Sequence, residues 1–152
     1  MSQIIQPKDR FKLIPAAYLF LIKDNKTLLQ RRKNTGFEDG NYGLVSGHLD
    51  GDKTVYQAMV REVKEEAGID LNINDLEVVH VMHRGGRGRD NERIDFFITT
   101  KGWKGEVKNM EPDKCDDLRW FEINNLPENA IDFIKQAIEC IQKNIFYSEF
   151  GW

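Results

Sequence analysis

Three glutamates on one side of a single helix constrain this chain more than any other feature of its sequence. Thr54, with Gln57 three residues later, forms a capping-box signature, and Gly68 supplies a stop, so the spacing predicts a helix over 54–67. At about 100° per residue, Tyr56, Val60, Val63 and Ala67 share a narrow apolar stripe, with Met59 at its edge. Glu62, Glu65 and Glu66 fall together on a different face. Like charges at these spacings repel and destabilise an isolated helix. The pattern costs stability unless something cationic covers it, and hard divalent ions such as Mg²⁺ commonly bridge carboxylates to substrate phosphates. For the helix alone, an acidic face in water, diluted by Arg61 and Lys64, is the plainer reading.

Length and charge bound the setting of that helix. The 152 residues amount to about one domain, long enough for a real core, and no repeat, low-complexity tract or linker interrupts 1–152. Lys and Arg total 22 against 25 Asp and Glu, a formal net charge of −3, which argues against a nucleic-acid polymer as partner. A small anionic ligand held by a few local cations remains compatible. Cys115 and Cys140 match no metal-ligand spacing and no secreted disulfide framework, so they read as reduced thiols. The longest apolar run, 13–22, is far shorter than the roughly 20 residues of a membrane helix and lacks the marks of a signal peptide. The expectation is a cytoplasmic chain without membrane contact.

Coarse patterning places the remaining elements. Residues 13–22 read as a strand, turning at Lys23-Asp24-Asn25-Lys26 into a second strand over 27–32, a hairpin. Residues 33–42, with Gly36, Asp39, Gly40 and Asn41, read as loop, and Leu44-Val45-Ser46 leads into Gly47. Further strands are expected over 76–82, 93–100 and 118–123, with a glycine- and arginine-rich connection over 84–91. A second helix over 130–143 spaces Ile131, Ile134, Ile138 and Ile141 for burial. The order points to an α/β fold with a mixed sheet covered on both faces.

Gly47, a loop holding Asp50 and Asp52, and the run Arg61-Glu62-Val63-Lys64-Glu65-Glu66-Ala67-Gly68-Ile69 together resemble the signature of the Nudix hydrolase family. Eight of its nine specified positions match: Gly47, Arg61, Glu62, Val63, Glu65, Glu66, Gly68 and Ile69. The exception is Lys53, where the family carries a glutamate that looks mainly structural and pairs with the signature arginine. Lys53 reverses that pairing and leaves Asp50 or Asp52 to substitute. The resemblance extends over about 13–141. Residues 16–31 resemble the family's opening hairpin and 36–44 its approach to the signature. The stretch Glu111-Pro112-Asp113-Lys114-Cys115, followed by Trp120-Phe121, is similar to one in relatives that cleave nucleoside triphosphates.

The resemblance implies a Nudix-type α/β/α sandwich that hydrolyses a nucleoside diphosphate linked to a moiety X, using Mg²⁺ with Mn²⁺ as a substitute. Glu62, Glu65, Glu66 and the Gly47 carbonyl become metal ligands, and Arg61 orients the carboxylates. Arg31 matches a phosphate-contacting arginine, and Glu92 an additional acidic residue near metal or substrate. Phe37, Trp103, Trp120 and Phe121 are candidates for stacking on a base, although core packing is the default for Trp120 and Phe121. The segment 84–89 reads either as a lid over phosphates or as a solvated loop. His48, His80 and His83 form no metal cluster by spacing and read as hydrogen-bonded structural residues. The favoured substrate is a nucleoside triphosphate, yielding monophosphate and pyrophosphate and serving to clean the nucleotide pool. The alternatives are a nucleotide sugar or dinucleoside polyphosphate, a degenerate nucleotide-binding sensor, or an isomerase on the same fold. The partner is a small-molecule nucleotide, and a homodimer stays open.

Overall fold

A computed structural model describes residues 10–152, apart from the side chain of Arg89; residues 1–9 of the expected single domain lie outside the described residues. Its organising element is strand β1 (Ile14–Leu19), whose side chains serve two cores. Ala16, Tyr18 and the following Phe20 belong to one buried cluster, and Ala17, Leu19 and Leu21 to the other. This is the two-residue alternation of extended backbone. β1 lies within a five-stranded sheet. On one side is the edge strand β5 (Val45–His48); on the other follow β7 (Arg93–Thr100), β6 (Leu76–Arg84) and β9 (Tyr147–Phe150). The β1–β7 and β6–β9 pairs are parallel and the others antiparallel, so the sheet is mixed, as expected.

Two helices cover the two faces. Helix α1 (Val55–Ala67) buries Met59, Val63 and Ala67 with Ala17 and Leu19, while α2 (Asp132–Gln142) buries Phe133, Ile134, Ala137 and Ile138 with Tyr18 and Phe97. The capping box of α1 is formed, and Gly68 closes the helix in the left-handed region at φ 73°. A second sheet, not foreseen, centres on β3 (Lys26–Arg32). It pairs with β2 (Ile22–Lys23), β4 (Tyr42–Gly43) and β8 (Cys115–Glu122).

The sandwich stands, but the expected first hairpin is corrected. Residues 13–22 are two strands in two sheets: the chain leaves the first at Phe20-Leu21, and only β2 pairs with β3. Asp24 (φ 50°) and Asn25 (φ 59°) form the tight turn between them, the backbone that right-twisted hairpins favour. Helix α2 starts two residues later than expected, with Ile131 extended and buried at its N-cap. β9 was not anticipated. It runs beside β6 to the Arg84–Phe150 register, where Gly85 N–H donates to the Phe150 carbonyl (2.9 Å) and Trp152 Nε1–H to the His83 carbonyl (3.1 Å). A Cβ on Gly86 would sit 1.9 Å from the Gly151 carbonyl oxygen, so only glycine allows this approach. Cys115 and Cys140 are free, and among the described residues no helix is long and apolar enough to cross a membrane.

Candidate active site

A cleft of about 710 Å³ opens where α1, the edge strand β5 and the N-terminal end of α2 approach one another. Glu62, Glu65 and Glu66 reach it from α1, and Ser46, Gly47 and His48 line it from β5. Register explains how. Gly47 pairs with Ala17, whose side chain belongs to the α1 core, whereas Ser46 and His48 pair with Tyr18 and Ala16 on the α2 side. A Cβ on Gly47 would stand 2.2 Å from Glu62 Cδ, so the missing side chain is the space through which Glu62 passes.

Charge is concentrated here without internal compensation. Glu66 Oε2 accepts from Ser46 N–H (3.2 Å), and burial, reinforced by Glu62 and Glu111, pushes its pKa up to about 8. Burial also raises the Glu62 carboxyl, with Arg61 pulling it back and Glu65 adding to the rise. Arg61 Nη2 donates to Glu62 Oε1 (2.8 Å) and to Asp50 Oδ2 (3.2 Å). Asp50 therefore supplies the brace that Lys53 cannot, and Asp52 takes no part in it. Glu111, quoted above only as part of a motif, is a further carboxyl lining the cleft. Its loop is fixed by Met110 N–H on the Glu66 carbonyl (3.1 Å) and by Asn109 Oδ1 on Glu111 N–H (3.1 Å). An acid followed by Pro112 within a loop was the only signal in the sequence.

Phe37 lines the cleft as expected, but Arg31 does not. Arg31 Nε donates to Asp116 Oδ1 (2.7 Å), and its guanidinium lies over Tyr42 (5.7 Å). Its neighbour Arg32 lines the cleft instead, donating through Nε to the Phe37 carbonyl (2.7 Å) and lying 5.5 Å from the Phe37 ring centre. Glu92 also lies outside the cleft lining, facing His83 Nε2 at 3.4 Å and accepting Ile14 N–H on its carbonyl. Trp103 and Trp120 stack on each other (6.0 Å) against the α1 core, and Phe121 packs edge-on against Tyr42, so none of the three forms a base platform in the cleft.

The segment 84–89 is divided. Arg84 belongs to β6 and is ion-paired with buried Asp95, whereas Arg87 in the connection lies over the Phe37 ring (4.6 Å). His80 is buried between the Ile145 carbonyl and Ser148 Oγ, a structural role. His48 lines the cleft, and burial together with Arg93 holds it below its usual pKa. Its neutral Nε2 accepts from Arg93 Nη1 (2.8 Å). The cleft carries both signs of charge: the carboxyls of Asp50, Glu62, Glu65, Glu66 and Glu111, and the guanidinium groups of Arg32, Arg84 and Arg93, with Arg32 within electrostatic reach of Glu66.

The donor set suits a hard dication. It consists of carboxylate oxygens around a glycine cradle; of the softer groups in the lining, the His48 imidazole accepts from Arg93 and the Cys115 thiol donates to the Asp117 carbonyl. Among the described residues no three acidic, His or Cys side chains already close on a common point. Glu62 turns to Arg61 and Glu66 to the Ser46 amide.

Comparison with known proteins agrees with this geometry. The NUDIX domain family model matches residues 12–141. An ADP-ribose pyrophosphatase of Methanocaldococcus jannaschii is 36% identical over 141 residues, covering 88% of this chain and 80% of that protein. A NAD-capped RNA hydrolase NudC of Stutzerimonas stutzeri is 28% identical over 116 residues, 76% of this chain but only 39% of that longer protein. Among solved structures, a MutT NUDIX hydrolase from Burkholderia pseudomallei superposes with a TM-score of 0.76 at 26% identity, covering 84% of this chain and 97% of its own. On this match and this architecture, the chain belongs to the Nudix hydrolase family.

Proposed function

We propose that this protein, acting as one domain in the cytoplasm, hydrolyses the diphosphate linkage of a nucleoside diphosphate joined to a sugar, with ADP-ribose the first substrate to test. The observation that carries this is the composition of the cleft: five carboxyls share it with three arginines and an apolar wall. Its volume of about 710 Å³ leaves room for more than a diphosphate. The identity to an ADP-ribose pyrophosphatase supports the same choice. Glu62, Glu65, Glu66 and the Gly47 carbonyl would hold Mg²⁺ or Mn²⁺, with Glu111 nearby. When bound, such an ion offsets phosphate charge and lowers the pKa of water.

The chain's own groups divide the remaining work. Asp50 fixes Arg61, and Arg61 fixes Glu62, so that carboxylate is aimed before any ligand arrives. Burial and like charge let Glu66 keep its proton at neutral pH in the metal-free chain, so a dication bound there would displace that proton. Arg32, rather than Arg31, presents a guanidinium to substrate phosphate, and Phe37 backs it. A nucleoside triphosphate, and with it a pool-cleaning role, is the second reading, favoured by the stretch Glu111 to Cys115.

A substrate panel of ADP-ribose, nucleoside triphosphates, a nucleotide sugar and a dinucleoside polyphosphate, with Mg²⁺, Mn²⁺ or chelator, tests the proposal by product chromatography. The expected result is AMP and ribose 5-phosphate, formed only with metal. Monophosphate and pyrophosphate from triphosphates alone would replace the first reading with the second. Nucleotide binding without turnover under every metal condition would make the domain a sensor.

A further inference from the structure

Strand β6 delivers to the cleft an arginine whose hydrogen bonding is unfinished. The Arg84 side chain is 7% exposed and that of its partner Asp95 0%. Nε and Nη2 donate to the two Asp95 oxygens, and Nη2 also reaches Tyr18 Oη (3.3 Å). Cζ stands 3.7 Å from the Phe133 ring centre, so that ring is covered by the guanidinium. Nη1 remains, and it donates to none of the described residues. It is not sealed from solvent: the enclosed side-chain atoms without a partner are Thr27 Oγ1, Arg61 Nε and Arg93 Nε. Arg84 lines both the cleft and an adjoining cavity of about 160 Å³, which Glu38 and Asp132 also border without an ion pair to Arg84.

A buried ion pair is a costly way to fill a core that apolar residues of like volume would hold as well. What the pair provides is a planar donor fork locked in place by Asp95, Tyr18 and Phe133, with one arm spare. Asp95 balances the charge, so the spare N–H groups suit an uncharged acceptor better than another phosphate. Ala16, Leu44, Ile131 and Ile134 give this part of the cleft apolar walls. A sugar there would leave most of its hydroxyls unpaired, whereas a flat heterocycle buries its faces and needs polar partners only at its edge. We propose that Arg84 is a specificity determinant, its Nη1 donating to an acceptor atom on the edge of the substrate's nucleobase. The inference rests on reading the cleft as the nucleotide site.

Calorimetric titration of the whole chain with AMP, GMP, CMP, UMP and ribose 5-phosphate separates base recognition from phosphate recognition. At least one mononucleotide is expected to bind about 10- to 100-fold more tightly than ribose 5-phosphate, the range of a hydrogen bond from a charged donor plus its contacts. In the double variant Arg84→Met/Asp95→Leu, which removes both charges together, that preference narrows to about threefold while ribose 5-phosphate affinity holds. Arg84→Lys keeps a cation for Asp95 but loses the planar fork that aims Nη1, so it is expected to show the same narrowing, and it serves as the test where the double variant does not melt cooperatively. A preference that persists in either folded variant overturns the proposal, as does a wild-type chain that binds ribose 5-phosphate as tightly as every mononucleotide. A chain that consumes no nucleotide yet shows the Arg84-dependent preference overturns the hydrolase reading alone.

Discussion

Half-buried Glu66, which lines the cleft, and buried Asp95, which pairs with the cleft residue Arg84, are balanced in opposite ways. Asp95 receives the guanidinium of Arg84, which pulls its pKa down against the rise that burial imposes. Glu66 receives one backbone N–H, from Ser46, while Glu62 and Glu111 add to the effect of burial, and Arg32 offsets it only in part. Asp95 meets a full positive charge supplied by the chain itself, whereas Glu66 faces other carboxyls, an arrangement that suits a binding site better than a structural ion pair. Stability is given up where function requires it.

The contrast can be broken most sharply at Glu66. Glu66→Gln should lower turnover by about two orders of magnitude or more in a metal-dependent assay, because on the proposed reading it removes a metal ligand. Near-normal rates would mean that Glu66 has no special role. Asp95→Ala tests the other carboxyl: it strands a buried guanidinium and should cost about 3–5 kcal/mol in urea unfolding. A loss within that of an ordinary surface substitution would show that Arg84 does not depend on its partner.

The smallest effect sharpens the comparison through pH. With its folded pKa raised from 4.5 to about 8, Glu66 holds a proton that the unfolded chain has already released. The stability it contributes is fully present below about pH 4.5 and is lost as pH rises toward 8. Metal-free melting temperatures should therefore fall across that window, and Glu66→Gln should flatten the decline. A metal-free wild type whose melting temperature rises from pH 5 to 8 would contradict the half-buried, uncompensated carboxyl described here.

What the sequence made legible follows from where local chemistry was decisive. Helix α1 was readable because its capping box, apolar stripe and left-handed Gly68 all depend on neighbours within a few residues. β7 was readable to its ends, Arg93–Thr100. β3 was located, but its facing could not be phased: Thr27, Leu28, Leu29 and Gln30 are all buried, so no alternation tells which side Arg31 and Arg32 occupy. That is why Arg31 was expected at the cleft, where the structure has Arg32. The passage of 13–22 from one sheet to the other, and the strand β9, depend on pairing with distant residues and left no local mark. Glu111 was similarly hidden, since it reaches the cleft through Met110 bonding to the last turn of α1. Asp50 as the brace for Arg61 was anticipated as one of two substitutes, and the geometry chose between them.

The glycine contact between the 85–86 turn and residues 151–152 links two places that look unrelated in the sequence. The same turn leads to Arg87, which rests on Phe37 at the cleft. Gly86→Ala would press on this clasp, and its strain should register as altered nucleotide affinity although no group in the cleft had been changed.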